Sequence, residues 1–510
     1  MGKKRRQKII EELRATERRL VLKTLRTFEG AKVSRRTENW YTSSSGPNTD
    51  LRQAMSLLIR RHQDLVDNNP WASQAISVIT GNWIGDGITG EPQDTSQRFG
   101  KTWLDWCNGT DCDFYGKLNF YGLQDQVARI TAVRGSALIR RRIKDFGLYG
   151  SGRIPPLQLQ VMEPDWLDAG RDNGTTIFGG KQFDTLGRLE GYWLHHGHPG
   201  DSGYQGFKLI SEFVPAYEVI HHYDVRRPQQ YSGIPWGAAA LLRLRDLDDY
   251  ESAELLKQKI SACFAAFVVE SEVPELQPRD ADGNPIVQEI IETLEPGAVE
   301  VLPPGRDIRF ATPPGSGSHR EFTRDALYGI AAAYGITFES LTGILSDVNF
   351  SSGRMGWIQF NRNVAKWRWN ITVPQLLDPV AKWYGEIATW MLLAKEPPRF
   401  IWTPPRREFV QPKEEIDWMV ASIRAGLMSL REVQKSFGFV PEEVFAELSL
   451  DFKAAAAAGL VLTSNPADDP ERLQAEALQS QAETAAKEAA KPDPLPVIST
   501  NGKSPAVAGR

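Results

Sequence analysis

Glycine-rich stretches are the first residues of this sequence that could bind a phosphate. Gly85-Asp-Gly-Ile-Thr-Gly90 has the spacing of a dinucleotide-binding turn. That fingerprint also needs a buried strand before it and a helix directly after it, whereas Glu91-Pro92 follows the last glycine. Gly100-Lys-Thr102 and Gly502-Lys-Ser504 resemble the end of an ATP-binding loop, but both lack the glycine five positions earlier. We therefore interpret these segments as turns and expect no ATP hydrolysis.

Histidines and acidic residues could form a metal site, and two regions have a suitable composition. One region holds five of the seven histidines: His195, His196, His198, His221 and His222. These histidines lie beside turn signals with no matching cysteine, which favours a packed or surface cluster over a metal site. Asp280-Ala-Asp-Gly-Asn284 resembles part of a calcium loop but lacks the closing glutamate. We predict no metal, no cofactor and no catalytic residue.

The most informative segment joins a polar loop to a long helix rich in tryptophan and arginine. It reads Leu345-Ser-Asp-Val-Asn-Phe-Ser-Ser-Gly-Arg-Met-Gly-Trp357, and no nucleophile, base or metal cluster accompanies it. Its composition therefore indicates contact with a partner rather than catalysis. Five tryptophans lie on the helices that follow: Trp357, Trp367, Trp369, Trp383 and Trp390. Arginines and lysines lie among them, so these rings could form either the chain's own core or a subunit interface.

Composition limits the possible classes of protein. The 510 residues carry 60 Lys+Arg against 64 Asp+Glu, a net charge of −4, which does not indicate a globally basic surface that wraps nucleic acid. The three cysteines form neither a disulfide framework nor a zinc-spaced pair, which favours a reducing compartment. We predict no membrane span and no secretory signal, because no sufficiently long apolar run is present.

The elements that must position these residues follow from composition and periodicity. Residues 1–40 form a basic arm, with thirteen Lys/Arg and four Glu before residue 37. Such an arm could contact nucleic acid, a membrane surface or a partner groove, or remain solvated. Residues 154–231 alternate apolar runs with Gly and Pro turns, which predicts a strand-rich module. We therefore expect an α+β protein that is mainly helical.

Two helices flanking an acidic insert are the most distinctive architectural signal. An uninterrupted helix is predicted over 236–268, and a second helix begins at His319. The Pro/Gly-rich insert between them carries short predicted strands near 267–269, 299–302 and 308–310. Ten Asp/Glu and three Arg occur from Glu270 to Arg309. This pattern predicts two antiparallel helices joined by a protruding, negatively charged β-insert.

Later segments are predicted to be helical between proline breaks. One helix over 351–371 should stop before Pro374, because proline lacks a backbone donor and disrupts a helix interior. Another helix should follow over 375–394. A proline-rich connector and helices over 414–458 come next. Beyond residue 463 the sequence is rich in Ala, Gln and Glu with almost no aromatic residues, which predicts disorder or a fraying helix.

Several stretches, in this order, resemble the portal proteins of lambda-type tailed bacteriophages. Each motif is weak alone, but the ordered set spans roughly residues 40–460. The motifs are Arg60-Arg-His-Gln-Asp-Leu-Val-Asp-Asn-Asn-Pro70 with Gly85-Asp-Gly87, Val214-Pro-Ala-Tyr-Glu-Val-Ile-His221 with Arg227-Pro-Gln-Gln230, Gly233-Ile-Pro-Trp236, Asp246-Leu-Asp-Asp-Tyr-Glu251, Val348-Asn-Phe-Ser-Ser-Gly-Arg354, and Pro412-Lys-Glu-Glu415 with Gly426-Leu-Met-Ser-Leu430. A departure is Gly353, where the family more often has a residue such as alanine.

The resemblance implies a portal fold with a domain map. Following the basic arm 1–40, the parts are a wing at 41–235, a stem helix at 236–268, a clip at 269–318, a second stem helix at 319–342, a tunnel loop at 343–352, wing and crown helices at 353–412, a crown at 413–462 and a disordered tail at 463–510. The family's tunnel loop implies these DNA-channel candidates: Ser346, Asp347, Asn349, Phe350, Ser351, Ser352 and Arg354. The acidic clip candidates are Glu270, Glu272, Glu275, Asp280, Asp282, Glu289, Glu292 and Glu295.

The resemblance also implies function and partners. The family forms a ring, typically of twelve subunits, at one capsid vertex, through which double-stranded DNA is packaged and ejected. Its implied partners are the terminase large subunit, major capsid and scaffold proteins, and head–tail connector proteins. The implied location is the virion, with the host cytoplasm before assembly. No enzymatic activity is expected of such a protein.

Two other classes of function are open at this point. One is a carbohydrate-active hydrolase with an acidic, tryptophan-lined cleft, since the separation of two carboxyl groups cannot be known from sequence. The other is an assembly scaffold whose basic arm binds nucleic acid. The first requires paired carboxyl groups in a cleft, and the second requires binding that depends on residues 1–36.

Overall fold

A computed structural model gives the structure of the chain. It describes residues 44–93, 95–144, 154–201, 210–262, 266–270, 281–282, 306–310, 319–346, 349–405 and 411–459. The chain divides after Trp402 into two units, and helices are combined with antiparallel sheets. The predicted α+β class is confirmed. The basic arm and the tail predicted at 463–510 lie outside the described residues.

Four helices open the first unit, and local sequence signals set their ends. They are α1 (Pro47–Asn68), α2 (Pro70–Trp83), α3 (Gln97–Asn108) and α4 (Phe120–Arg134). The Asn69 side chain accepts hydrogen bonds from the first backbone N–H groups of α2, which is how an N-cap satisfies unpaired donors. Between α2 and α3, strand β1 (Thr89–Pro92) forms part of a glycine turn rather than a nucleotide-binding unit.

The strand-rich module predicted over 154–231 is present as two antiparallel sheets, but the module begins earlier, because its first strand precedes residue 154. In the first sheet, β2 (Ser136–Ile143) lies between β3 (Leu157–Met162) and β8 (Val219–Tyr223). The second sheet follows chain order: β4 (Ile177–Phe178), β5 (Lys181–Phe183), β6 (Leu189–His195) and β7 (Ser211–Pro215). A small apolar cluster that includes Leu138, Tyr192 and Val214 joins residues from both sheets.

The helix predicted over 236–268 is shorter in the structure. The chain makes a 3-10 turn at Trp236–Ala239, and α5 then spans Leu241–Ala262. Residues Ala266–Glu270 form strand β9, which pairs antiparallel with β10 (Arg306–Phe310). The prediction of helix through residue 268 is therefore wrong. Two valines and a phenylalanine favour a strand here once a partner strand supplies backbone hydrogen bonds.

The strands predicted near 267–269 and 308–310 are confirmed, while the one near 299–302 lies outside the described residues. The second helix begins at the predicted residue, and α6 spans His319–Tyr334. The second stem helix predicted over 319–342 is not one continuous helix, because Gly335 has a φ of 73° and ends α6. The short helix α7 (Phe338–Thr342) follows.

The predicted stop before Pro374 is wrong. Helix α8 (Phe350–Trp367) continues through a π-helical segment (Arg368–Leu377) into α9 (Asp378–Trp390). Pro374 lies inside the π-helical segment, where the wider turns accommodate a residue that has no N–H to donate. After α9, strand β11 (Phe400–Thr403) pairs with β1.

Aromatic rings connect distant segments in the core of the first unit. The Trp83 ring stacks on Trp236 with 4.8 Å between centroids, and Trp236 lies 4.8 Å from Trp367. Buried His62 on α1 adds polar bonds: its Nδ1 donates to the Val133 carbonyl at 2.6 Å, and its Nε2 accepts from the Tyr334 hydroxyl at 2.8 Å. Burial lowers the pKa of His62. These contacts hold α1, α4, α6 and α8 around the start of α5.

The second unit contains three helices. They are α10 (Pro412–Arg424), α11 (Leu430–Ser436) and α12 (Pro441–Ala457), which confirms the helical prediction over 414–458. Gly426 and Gly438 have positive φ and end α10 and α11. The Ser429 hydroxyl caps α11 by accepting from the Glu432 N–H at 3.1 Å.

Candidate nucleic-acid interface

The loop between α7 and α8 presents exposed side chains. Helix α7 ends at Gly343, which adopts the left-handed conformation (φ 70°) and donates its N–H to the Glu339 carbonyl at 2.8 Å. Ile344, Leu345 and Ser346 are exposed. Ser346 therefore lies on a solvent-facing loop. Its neighbour Asp347, another predicted site residue, lies outside the described residues.

The predicted loop over 343–352 is wrong at its end. Helix α8 begins at Phe350, and the Gly353 N–H donates to the Asn349 carbonyl at 3.0 Å. Phe350, Ser351 and Ser352 therefore form the first helical turn. Backbone N–H groups at a helix start favour negative charge, which suits contact with a phosphate. The glycine at 353 did not prevent helix formation there, because tertiary contacts outweigh its low helix propensity.

The basic residues of α8 lie along one exposed face. Arg354, Arg362 and Lys366 are exposed, and their spacings of eight and four residues place them in one row. Residues 350–377 contain no Asp or Glu. Among the described residues, none of these three side chains forms an ion pair. This face can therefore bind phosphate or carboxylate groups.

Sequence reasoning selected only Arg354 from this row. It grouped Arg362 and Lys366 with the tryptophans instead, although the absence of acidic residues was a detectable signal. Arg368 has a different role, because its guanidinium donates to the carbonyls of Trp83 and Asn82 at 2.7 Å each. Arg368 thereby satisfies free carbonyls at the end of α2 and packs the chain's interior.

Some of the five tryptophans lie in the chain's own core, and others are exposed as a subunit interface would require. Trp367 and Trp383 are buried, and the Trp383 indole donates to the Tyr217 carbonyl at 3.1 Å. Trp369 is 48% exposed and Trp390 is 92% exposed. Thus some of these rings form the core, while others are available to a partner.

Few of the predicted acidic residues of the insert are described. Glu270 lies at the end of β9, where strand register places it opposite Arg306, so it is not in a purely acidic setting. Asp282 lies in a short exposed turn. The other candidates lie outside the described residues: Glu272, Glu275, Asp280, Glu289, Glu292 and Glu295.

The histidines do not assemble into one metal cluster among the described residues. The nearest arrangement brings His198 to Glu163 and Asp165, but Arg134 already bridges these carboxylates at 3.1 and 2.7 Å. The His198 Nδ1 accepts the Gly200 N–H at 3.1 Å, so the neutral ring carries its proton on Nε2. The Nε2 atom lies 3.3 Å from the Glu163 carboxylate oxygen that already pairs with Arg134.

The cleft that most resembles a hydrolase site has unsuitable geometry. It measures about 530 Å³, and its lining includes Asp378, Trp383 and Glu386. The two acidic residues are eight positions apart on α9, so their backbone positions differ by about 12 Å along the helix axis. Asp378 accepts from the Trp402 indole at 2.7 Å, and Glu386 pairs with Arg141 at 3.0 Å. These acids and the buried tryptophan serve packing.

Comparison with known families gives the assignment. The chain matches the model described as "Phage portal protein, lambda family" over residues 33–368, about two thirds of its length. The chain belongs to this family. The resemblance inferred from the ordered motifs is thereby confirmed. The matched part includes the loop before α8 and the three exposed basic residues of that helix.

A curated relative has a corresponding description. The "Probable portal protein" of Halomonas phage phiHAP-1 is 26% identical to this portal protein over 454 residues, covering 84% of this chain and 86% of the relative. Among the described helices, none is long and apolar enough to cross a membrane.

Solved structures with similarity to this portal protein include a chain of a gene transfer agent particle and an HK97 family phage portal protein. A chain of the virion of a native gene transfer agent particle aligns with a TM-score of 0.43 and 16% identity, covering 76% of this chain and 94% of that chain. An HK97 family phage portal protein from Corynebacterium diphtheriae aligns with a TM-score of 0.31 and 9% identity, covering 59% and 84%.

Proposed function

We propose that this portal protein forms a closed ring, with twelve subunits, around a channel for double-stranded DNA. The ring occupies one vertex of the capsid and serves DNA packaging and later ejection. The observation that carries the proposal is the family match over residues 33–368, which contains the exposed loop and α8. Location in the virion, after assembly in the host cytoplasm, follows from this role.

The chemistry of the loop suits a moving duplex. DNA has to be guided through a channel without being gripped, because many tight phosphate ion pairs would bind it strongly. Ser346 and Asn349 are exposed and uncharged, and Ser351 and Ser352 lie in the turn that follows. Small polar groups of this kind can make phosphate contacts that exchange readily. We assign these residues, with Asp347, Phe350 and Arg354, to the channel wall.

The remaining domain assignments complete the proposal. Helices α5 and α6 form the stem, and the segment between them, with β9 and β10, forms the clip. Residues 41–235 form the wing and residues 413–462 the crown. Repeating the acidic insert around a ring would produce a negative collar that directs DNA towards the axis. Its residues are Glu270, Glu272, Glu275, Asp280, Asp282, Glu289, Glu292 and Glu295.

The ring provides docking surfaces for other assembly components. We propose the terminase large subunit as the partner during packaging, and head–tail connector proteins as partners afterwards. Major capsid and scaffold proteins surround the ring during head assembly. The chain acts by binding and has no catalytic role of its own in this scheme.

Native mass spectrometry of the purified full chain tests the ring directly. The expected mass is twelve times that of the 57.1 kDa subunit. Particle images should show an axial opening wide enough for a duplex. A species that stays monomeric at micromolar concentration, or a closed assembly without an axial opening, would contradict the proposal.

A further inference from the structure

Helix α8 is apolar or basic on the side that faces away from the core. Phe360, Val364 and Trp367 are buried on one side. On the opposite side, a row at heptad-like spacing is exposed: Met355, Ile358, Arg362, Ala365 and Trp369, with Lys366 beside Ala365. Trp369 is the second residue of the π-helical segment. Within the chain, α8 packs on α2 and on this π-helical segment, which leaves the row to solvent.

Helix α5 has an exposed row of the same length as the exposed row of α8. Leu241, Leu244 and Leu247 are buried against the chain's core. The other side exposes a row at the same kind of spacing: Leu242, Asp246, Asp249, Ala253 and Leu256. Leu242 is 75% exposed and Leu256 is 59% exposed. Leucines on both sides of a helix indicate that the second side is covered by a partner.

The two exposed rows are complementary when they run antiparallel. Each row covers 15 residues, about 21 Å of helix from first to last, with apolar ends and charged residues between them. In this orientation, the steps of three and four residues between members of one row match those of the other row along the whole length. The facing pairs are Met355 with Leu256, Ile358 with Ala253, Arg362 with Asp249, Ala365 with Asp246, and Trp369 with Leu242. Lys366, next to Ala365, is exposed, and its long side chain can extend to Asp246.

We propose that α8 of one subunit docks on α5 of the next subunit in the ring. The inference rests on the proposed ring and identifies the faces that build it. A contact between two different faces is heterologous, so repeating it by rotation closes a ring. Arg245 pairs with Asp249 at 3.1 Å within the chain, and both side chains are more than half exposed. Such a surface pair is weak, so Asp249 is free to exchange partners.

The composition of the α8 face favours a protein over DNA as its partner. Arginine, methionine and tryptophan are enriched in protein interfaces. Met355 is 74% exposed and Trp369 is 48% exposed. Phosphate recognition has no use for apolar side chains of this size between the basic residues. The alternative, that nucleic acid binds this face of α8, is one of the outcomes of the test below.

Charge exchange tests the contact. Lys366→Glu and Asp246→Lys, each made alone in the full chain, place like charges opposite each other at every interface. We expect the ratio of ring to free subunit, measured by native mass spectrometry, to fall about tenfold or more. The two changes in one chain should restore the ratio to within about twofold of the wild type. Co-expression of the single variants should give rings containing equal numbers of both.

Matched controls separate this effect from a change in net charge. Arg61→Glu and Asp64→Lys alter exposed residues on α1 and should leave the ring ratio unchanged. Ile358→Cys combined with Ala253→Cys should give an inter-subunit disulfide, whereas Ile358→Cys with Ser77→Cys should not. The cross-link provides a readout even if a charge variant folds poorly.

Three outcomes overturn the inference. If wild-type rings form and both single variants assemble equally well, the α5–α8 contact is wrong while the ring stands. If Lys366→Glu leaves assembly intact but weakens binding of duplex DNA, the face contacts nucleic acid instead. A wild-type chain that remains monomeric refutes the proposed function and this contact together.

Discussion

Basic residues of a single helical region have two different roles, and position decides which. The Arg368 guanidinium turns inward and satisfies two carbonyls at the end of α2. Arg362 and Lys366, a few positions earlier, extend into solvent. Replacement of Arg368 would leave buried acceptors unpaired, which is costly. Replacement of the exposed pair should affect partner binding instead.

Buried histidines should make stability depend on pH. Burial lowers the pKa of His222 to about 3, and it also lowers the pKa of His62 and His221. The native state therefore stays uncharged at these positions as the unfolded chain gains protons below pH of about 6.5. Stability should fall with decreasing pH, and His222 alone should contribute a loss of about 2 kcal/mol between pH 7 and 5.

Chemical unfolding of His222→Gln at pH 7 and 5 measures this contribution. The variant should lose less stability than the wild type over that range, by about 2 kcal/mol. His196→Gln is the control, because the His196 side chain is exposed. Equal pH dependence in His222→Gln and the wild type would exclude His222 as the source.

Trp383 provides a second test at the level of a single side chain. Its ring is 6% exposed, and its indole donates to the Tyr217 carbonyl. Trp383→Ala should lower the free energy of unfolding of the subunit by about 3–5 kcal/mol. Trp390→Ala, at a 92% exposed position, is the matched control and should change subunit stability little. A Trp383→Ala chain with wild-type stability but impaired assembly would instead place the indole of Trp383 at a subunit interface.

Continuity through Pro374 is a property of the whole helical element. The π-helical turns between α8 and α9 keep residues 350–390 in one helical run. Proline normally predicts an end because it removes a hydrogen bond and crowds the preceding turn. Here the helices on the two sides of the π-helical segment are anchored in the core by Trp367 and Trp383. Packing at both sides makes a local widening less costly than a break.

Two helices approach the backbone closely at Gly237, and a substitution there tests this packing. A Cβ at this position would meet the His62 Nε2 and the Tyr334 hydroxyl, where α1 and α6 meet the 3-10 turn before α5. Gly237→Ala should therefore reduce the free energy of unfolding by about 1–3 kcal/mol. Thermal or chemical unfolding of the purified subunit measures the change.

Gly81→Ala is the matched control for Gly237→Ala. Gly81 lies within α2, and a Cβ there would meet nothing within 4 Å. Alanine should stabilise this helical position by about 0.4–1 kcal/mol. If both substitutions change stability in the same direction, the close contact at Gly237 does not control packing between these elements.

At the scale of the whole molecule, many large apolar side chains are exposed in the part of the chain that the structure describes. In the first unit, Leu242, Met355 and Trp390 are at least 74% exposed. In the second unit, Trp418 and Leu427 are at least 61% exposed. Single exposed apolar residues are common, but rows of them on helices mark interfaces. These surfaces suit a subunit that functions within an assembly.

The channel assignment gives a prediction for the assembled molecule. Ser351→Leu together with Ser352→Leu should leave the ring intact, because the change is confined to the first turn of α8. Packaging or retention of DNA should fall, because two groups able to contact phosphates are lost. Particle images and a nuclease-protection assay measure the two properties.

Ser77→Leu, at an exposed position of α2, is the control and should package normally. Normal packaging by the double serine variant would remove the first turn of α8 from the channel wall. Loss of the ring itself would show that this turn lies at a subunit contact.

Much of the fold followed from local signals in the sequence. Asn69 with Pro70 is a local signal for the break between α1 and α2, and Gly426 and Gly438 are local signals for the breaks around α11. The errors lay where local signals conflict with distant contacts. Pro374 did not end its helix, and the segment from Ala266 became a strand because a partner 40 residues away pairs with it.

The sequence by itself determined the family and most of the order of helices and strands. Ordered motifs, caps and turns are local, so they can be recognised without coordinates. Only the tertiary structure decided which arginines and tryptophans face the core and which face solvent. That division separates Arg368 from Arg362, and Trp367 from Trp369. It depends on contacts between residues far apart in the chain, which no local pattern encodes.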